Sequence, residues 1–308
     1  AASDVYKRQV LALVALDLFT VNATRNLDQH LPEAHTAPSP LVEQMKADGE
    51  LFRVYDEYRL PKNVGSLFGL EDIRGASPLN VERYRRLLQE VPIERVWRLL
   101  NVKYVTTWRE TLDTPSELVA QGAGSDGTTS LYRLLEPGPR AWVVHSVEII
   151  PDDDQIIERL SGGQFALLDA AILSERLDAP LAEIGDAQDS STVRWVLREP
   201  ACLQLDVDLP ADGLLVVGEV YYPGWRTYVD GELVPTLRAD LALRAVPVAA
   251  GKHQVEMVYR PWTVPAGIIV SALTLAMTLA ASAVLLRKGH RESDDPAVSR
   301  QSIVSGGS

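Results

Sequence analysis

Apolar and polar positions follow three different rhythms along the chain. From Leu51 to Leu173, strand-like and helix-like periods alternate. LFRVYDE (51–57) and Val102 to Thr107 predict strands, whereas Asn80 to Glu90 sets Val81, Tyr84, Leu87 and Leu88 on one helical face. A second helix follows Pro92 over 93–100, and QGAGSDGTT (121–129) reads as a glycine-rich turn before a strand at 131–135. Ala141 to Ile150 reads as one strand. Asp152, Asp153 and Asp154 then open a helix over 155–160, where acidic residues complement the helix macrodipole. Phe165 to Leu173 closes this portion.

From 190 to 260 the period shortens to two. Runs at 192–197, 202–209, 214–221, 226–229, 232–237, 243–248 and 253–259 are separated by Ala211-Asp212-Gly213, Pro223-Gly224, Asp230-Gly231 and Ala250-Gly251. Asp-Gly between Tyr228-Val229 and Glu232-Leu233 is the strongest short-range hairpin signal. Strands at this spacing predict an antiparallel sandwich or small barrel.

The third rhythm has no polar face. Val264 to Leu286 runs 23 positions without a charge and ends at Arg287-Lys288. At about 1.5 Å per residue it spans roughly 30–35 Å, the hydrocarbon thickness of a bilayer. Its only interruptions are Ser271, Thr274, Thr278 and Ser282, whose hydroxyls can bond their own helix carbonyls in lipid. The bland alternative is the core helix of a soluble protein. Arg287, Lys288 and Arg291 place the tail in the cytoplasm and Trp262 at the outer interface, so the preceding residues face outward. Near the start, VLALVAL (10–16) is apolar but too short to span, and no signal-peptide layout precedes it.

The expected organisation is α+β. Residues 1–19 form the end of a truncated transmembrane helix, with 1–9 of doubtful nativeness, and 20–49 a linker. A mixed α/β extracytoplasmic region occupies 50–188 and an antiparallel β-sandwich 189–262. A transmembrane helix covers 263–286, and a disordered cytoplasmic tail 287–308. With 46% hydrophobic and 23% charged residues, the body between the apolar runs can bury a core. A net charge of −12 argues against a nucleic-acid partner, since phosphate binding needs a basic footprint. The lone Cys202, in an apparent strand, excludes an intrachain disulfide and fits a packed thiol better than a nucleophile.

No catalytic or metal-binding motif stands out. His145 and His253 lie far apart in strands and read as surface or packed residues. Glu71-Asp72 reads as a loop feature, and Asp206 and Asp208 as one face of a strand. The densest unusual stretch is YYPGWRTYVDG (221–231). Tyr222, Trp225 and Tyr228 could stack on sugar rings and Arg226 could pair with phosphate, which makes these four the candidate binding residues. Packing is the simpler account: Pro-Gly turns the chain and Trp225 and Tyr228 cap the sandwich core.

The same stretch carries a resemblance. YYPGWRTYVDGELVP, then LRAVPVAAGKHQVEMVYRP, then an apolar helix, resembles the C-terminal end of the bacterial YfhO-like membrane proteins. DLF after the first apolar run, GLEDIRGASPLNVERY (69–84), LLNVKYVTT (99–107) and PRAWVV (139–144) fit in the same order. These proteins are similar to GT-C-type glycosyltransferases, which use polyprenyl-phosphate sugars and act on cell-envelope polymers. The resemblance therefore implies a lipid bilayer, an envelope glycan or polymer as partner, and a polyprenyl-phosphate sugar as donor for a full-length protein. The catalytic acid of that architecture lies on an early extracytoplasmic loop, so no catalytic residue transfers to this chain. Two functions follow as expectations. One is an accessory extracytoplasmic domain and last helix of a membrane glycosyltransferase, helping to position the acceptor. The other is a non-enzymatic, membrane-tethered carbohydrate- or protein-binding module.

Overall fold

The computed structural model describes residues 9–10, 12–20, 38–61, 64–75, 79–124, 127–176 and 191–293. Three sheets and a set of short helices precede one long helix, as the α+β expectation required. The expected tail beyond 293 and most of the expected linker, residues 21–37, lie outside the described residues.

The first sheet contains β1 (Arg53–Asp56), β2 (Val102–Thr107), β3 (Ser116–Gly124) and β4 (Gly127–Leu134), in the order β1-β2-β4-β3. Helix α1 (Pro40–Lys46) covers one face of it. Residues 40–46 were expected within a linker and instead fold, because Ser39 caps Val42 N–H and Pro40 presets the first turn. Leu41, Val42 and Met45 bury completely against Val54, Tyr104 and Leu131. Strand β3 also went unforeseen. The glycine-rich segment extends it to Gly124 and restarts the chain as β4 at Gly127, so most of 121–129 is paired strand rather than turn. The other face of this sheet receives α3 (Glu82–Glu90) and α4 (Ile93–Leu99), which follow the short α2 (Val64–Phe68).

The second sheet has the order β5-β10-β14-β13-β7-β6, from β5 (Ala141–Val144), β6 (Ser146–Ile149), β7 (Ala170–Leu173), β10 (Gly213–Val220), β13 (Leu237–Ala239) and β14 (Leu243–Val248). It thus joins strands from both sides of the expected 188/189 division. The expected single strand 141–150 is two strands, one at each edge of this sheet: β5 pairs with β10 and β6 with β7. Six strands would span about 24 Å if flat. Only His145 separates the two edges, so the sheet curls round. Helix α5 (Asp153–Ser161) contributes Ile156, Ile157 and Leu160 to the core that this curl encloses.

The third sheet has the order β12-β11-β15-β9-β8, from β8 (Thr192–Glu199), β9 (Cys202–Leu209), β11 (Trp225–Val229), β12 (Glu232–Val234) and β15 (Gly251–Tyr259). It packs on the second sheet as a sandwich, and the burial patterns explain the two textures of sequence. In β9, Leu203, Leu205, Val207 and Leu209 bury on one face while Gln204, Asp206 and Asp208 alternate outward. In β10, Leu214 and Val216 face the helices while Leu215 and Val217 face the sandwich, so the strand is apolar without alternation. The expected strand 232–237 divides at Pro235-Thr236, where the chain leaves the third sheet as β12 and enters the second as β13. Asp230 and Gly231 form the predicted hairpin turn, both at positive φ (52° and 83°), between the paired Val229 and Glu232.

Helix α6 (Thr263–Ser293) holds the uncharged run. None of its apolar window, Thr263–Leu285, is buried, unlike the core helix of a soluble protein, which would be mostly enclosed. Thr274 and Thr278 hydroxyls donate to the carbonyls of Val270 and Thr274, both at 2.8 Å, as expected for hydroxyls in lipid. Residues 12–20 are also helical, and Leu13, Val14, Leu16, Leu18 and Phe19 are exposed.

Candidate functional site

Strand β11 begins at the end of the sandwich from which α6 departs, and alternation decides what its side chains face. Trp225, Thr227 and Val229 turn inward; Trp225 and Val229 pack on the sandwich core and Thr227 is fully buried. Arg226 and Tyr228 turn the other way. A shallow recess of about 300 Å³ is lined by Tyr222, Trp225, Arg226, Leu233 and Pro235 among others. Three of the four candidate residues therefore meet there. Tyr228 does not line it and, contrary to expectation, does not cap the core, because its neighbours in register, Leu233 and Glu256, lie on the outer face.

Tyr222, Trp225 and Tyr259 form an aromatic group, with ring centroids 6.4 Å apart for Tyr222–Tyr259 and 5.4 Å for Trp225–Tyr259. The turn that presents Tyr222 needs Gly224. Its φ is +109°, and a β-carbon there would lie 3.0 Å from Pro261 Cβ and 3.1 Å from the Tyr259 ring. Arg260 N–H donates to Gly224 O at 2.8 Å, fastening this turn to the chain that enters α6.

On its other side Trp225 borders a cleft of about 420 Å³ lined by Glu71, Arg140, Arg198, Glu199, Glu219 and Arg244, where the three sheets meet. Glu219, the one acid in the apolar run of β10, accepts from Arg140 Nε at 2.9 Å and from Arg53 Nη2 at 3.0 Å. Glu71 takes Arg140 and Arg198, and Arg53 Nε lies 3.6 Å from it. Burial alone would raise the Glu219 and Glu71 carboxyls. The facing arginines outweigh it, so both stay below the usual carboxylate range. Arg244 is nine-tenths buried, lies 3.7 Å from the Trp225 ring centroid, and donates from Nε to Val220 O at 3.0 Å. Burial, reinforced by Arg53 and Arg140 against the pull of Glu219, lowers its pKa to about 10.

Residues 161–271 match the family model described as bacterial membrane protein YfhO. Over that segment the chain is YfhO-like. The matched stretch runs from the end of α5 through the sandwich into α6, and it includes Arg198, Glu219, Trp225 and Arg244. No curated protein and no solved structure matches the chain.

The arginine cleft was not foreseen. The sequence pattern puts Glu71 in a loop and does not bring Arg53, Arg140, Arg198 and Arg244 together. A signal was present, since Glu219 and Arg244 are lone charges inside otherwise apolar strands, and such charges need partners. Among the described residues no group of three or more His, Cys, Asp or Glu is placed to hold a metal ion. Cys202 is half-buried; burial and Glu256 raise its thiol pKa, which fits the packed role.

Proposed function

We propose that this chain is the extracytoplasmic domain and last membrane helix of a protein that transfers sugar from a polyprenyl-phosphate donor to a cell-envelope polymer, with the domain positioning the acceptor. The observation that carries this reading is the recess lined by half-exposed Tyr222 and the edge of half-buried Trp225, only a few residues from the apolar helix. Aromatic faces stack on the apolar faces of sugar rings, and Arg226 at the rim supplies hydrogen-bond donors or a counter-charge. The YfhO match supports a membrane setting, and the resemblance in segment order supports the transferase class. In this reading residues 20–262 face outward and 287–308 face the cytoplasm, as Trp262 and the Arg287-Lys288 pair favour.

The test is sugar transfer in membranes carrying the full-length protein, compared with Tyr222→Ala and Trp225→Phe. Tyr222 is half-exposed, so its truncation leaves the core intact. Loss of transfer with normal protein levels supports acceptor positioning. Unchanged transfer in both variants assigns the aromatics to packing. Glycan binding without any transfer by the wild type would instead make the domain a membrane-tethered binding module.

A further inference from the structure

We propose that the cleft behind Trp225 is a phosphoryl-binding subsite, with Arg244, Arg140 and Arg198 as donors. Arg244 is the first reason. It is nine-tenths buried and, among the described residues, has no carboxylate within salt-bridge distance; its contacts are the Val220 carbonyl, the Met257 sulfur and the Trp225 ring. A guanidinium enclosed with no carboxylate in contact, and only the more distant Glu219 to offset its charge, is costly, and an incoming anion reduces that cost. Arg140 is the second. Its Nε and Nη2 are bound to Glu219 and Glu71, but its Nη1 is buried with no hydrogen-bond partner. Both residues line the same cleft, and Arg198 stands at its more exposed side.

The acids in the cleft do not cancel this. Glu71 and Glu219 are already engaged by Arg53, Arg140 and Arg198. Glu199 at the rim makes no ion pair among the described residues, and it opposes an incoming anion. Convergent guanidiniums from β8, β14 and the segment before β5 suit an oxyanion with several oxygens better than a carboxylate, which one fork satisfies. Because Trp225 lines both recesses, the phosphoryl group would lie beside the surface proposed for the sugar. This deepens the reading above but does not require transfer, since the cleft would bind the anion in a protein of either class.

The experiment uses the full chain, reconstituted in phosphatidylcholine bilayers, titrated with glucose 1-phosphate, inorganic phosphate, glucose and glucuronate. Glucose 1-phosphate and inorganic phosphate should bind, more weakly as salt rises, while glucose alone should not reach the cleft. Arg198→Gln should weaken phosphate binding about tenfold, the worth of one charge-assisted hydrogen bond. Glu199→Gln should strengthen it by a smaller factor, and thermal unfolding of Arg198→Gln, which also gives up its pair with Glu71, separates lost binding from lost stability. Adding phosphatidylglycerol to the bilayer separates the sources of the group. Competition with glucose 1-phosphate points to a lipid headgroup, and no competition points to a phosphorylated glycan or polymer. Equal binding of glucuronate would overturn the phosphoryl assignment. Phosphate binding that is absent, or unchanged in both variants, would reduce the cleft to a structural clamp.

Discussion

At Asp240 the backbone turns through φ 45° and the carboxyl is enclosed. Its Oδ1 accepts the Ile172 N–H at 2.9 Å, and its own N–H donates to Ile172 O at 2.8 Å. The side chain thus extends the pairing of β13 with β7, while Oδ2 has no partner. Burial pushes its pKa up from 3.8 to about 7, only partly offset by the Ile172 hydrogen bond. The unfolded chain ionises first, so stability should fall as pH rises from about 4 and level off above about 7. Asp240→Asn keeps an acceptor for Ile172 and removes the charge. Thermal unfolding at pH 5 and pH 8 should show a smaller decline in the variant than in the wild type; equal declines would place the ionisation elsewhere. Gly224 gives a second expectation. Gly224→Ala meets both a positive φ and the Pro261 ring, and should cost about 1–3 kcal/mol in a denaturant titration. Neither environment was legible in sequence, because Asp240 and Gly224 sit in turn-like strings whose burial depends on distant strands.

The elements were legible where one face meets water. Strand β9 and the Asp230-Gly231 hairpin follow directly from alternation and turn chemistry. Legibility failed where an element is short or where one run serves two partners. The 141–149 stretch carries unbroken strand propensity, yet its halves pair at opposite edges of one curled sheet, which no local pattern records. Helix α1 has only seven residues, below the length at which periodicity identifies a helix, and exists by packing on the first sheet. The three aspartates opening α5 show the same limit. All three sit at the helix start, as the macrodipole argument implied, and Asp152 in addition caps it through the Gln155 N–H. Asp153 also binds Arg83 of α3 at 2.6 Å and Arg238 of β13 at 2.9 Å, joining three elements. Asp153→Ala should therefore lower the melting temperature more than Asp154→Ala, whose carboxylate is 82% exposed.

Across the whole molecule, Glu219 of the second sheet and Glu71 bind Arg53 of the first sheet, Arg198 of the third and Arg140 from the segment before β5, so their charge state bears on how the three sheets meet. Because both folded pKa values lie below 4.5, their contribution is present above that pH and is lost as pH falls through the folded values. Glu219→Gln leaves Arg53 and Arg140 short of a counter-ion and should cost about 3–5 kcal/mol at pH 7, measured by urea unfolding. As pH falls below 4.5 the gap between wild type and variant should narrow, because the wild-type carboxyl then takes up its proton. The join between the sandwich and the apolar helix has a different consequence. Only Arg260, Pro261 and Trp262 separate β15 from α6, and Arg260 is hydrogen-bonded to the Gly224 turn. Three residues reach about 10 Å at most, with little torsional freedom left. On the function proposed above, the sandwich is a gauge of fixed height: whatever rests on Tyr222 and Trp225 would be held at one stand-off from the lipid, and a tilt of the helix would become a swing of that face.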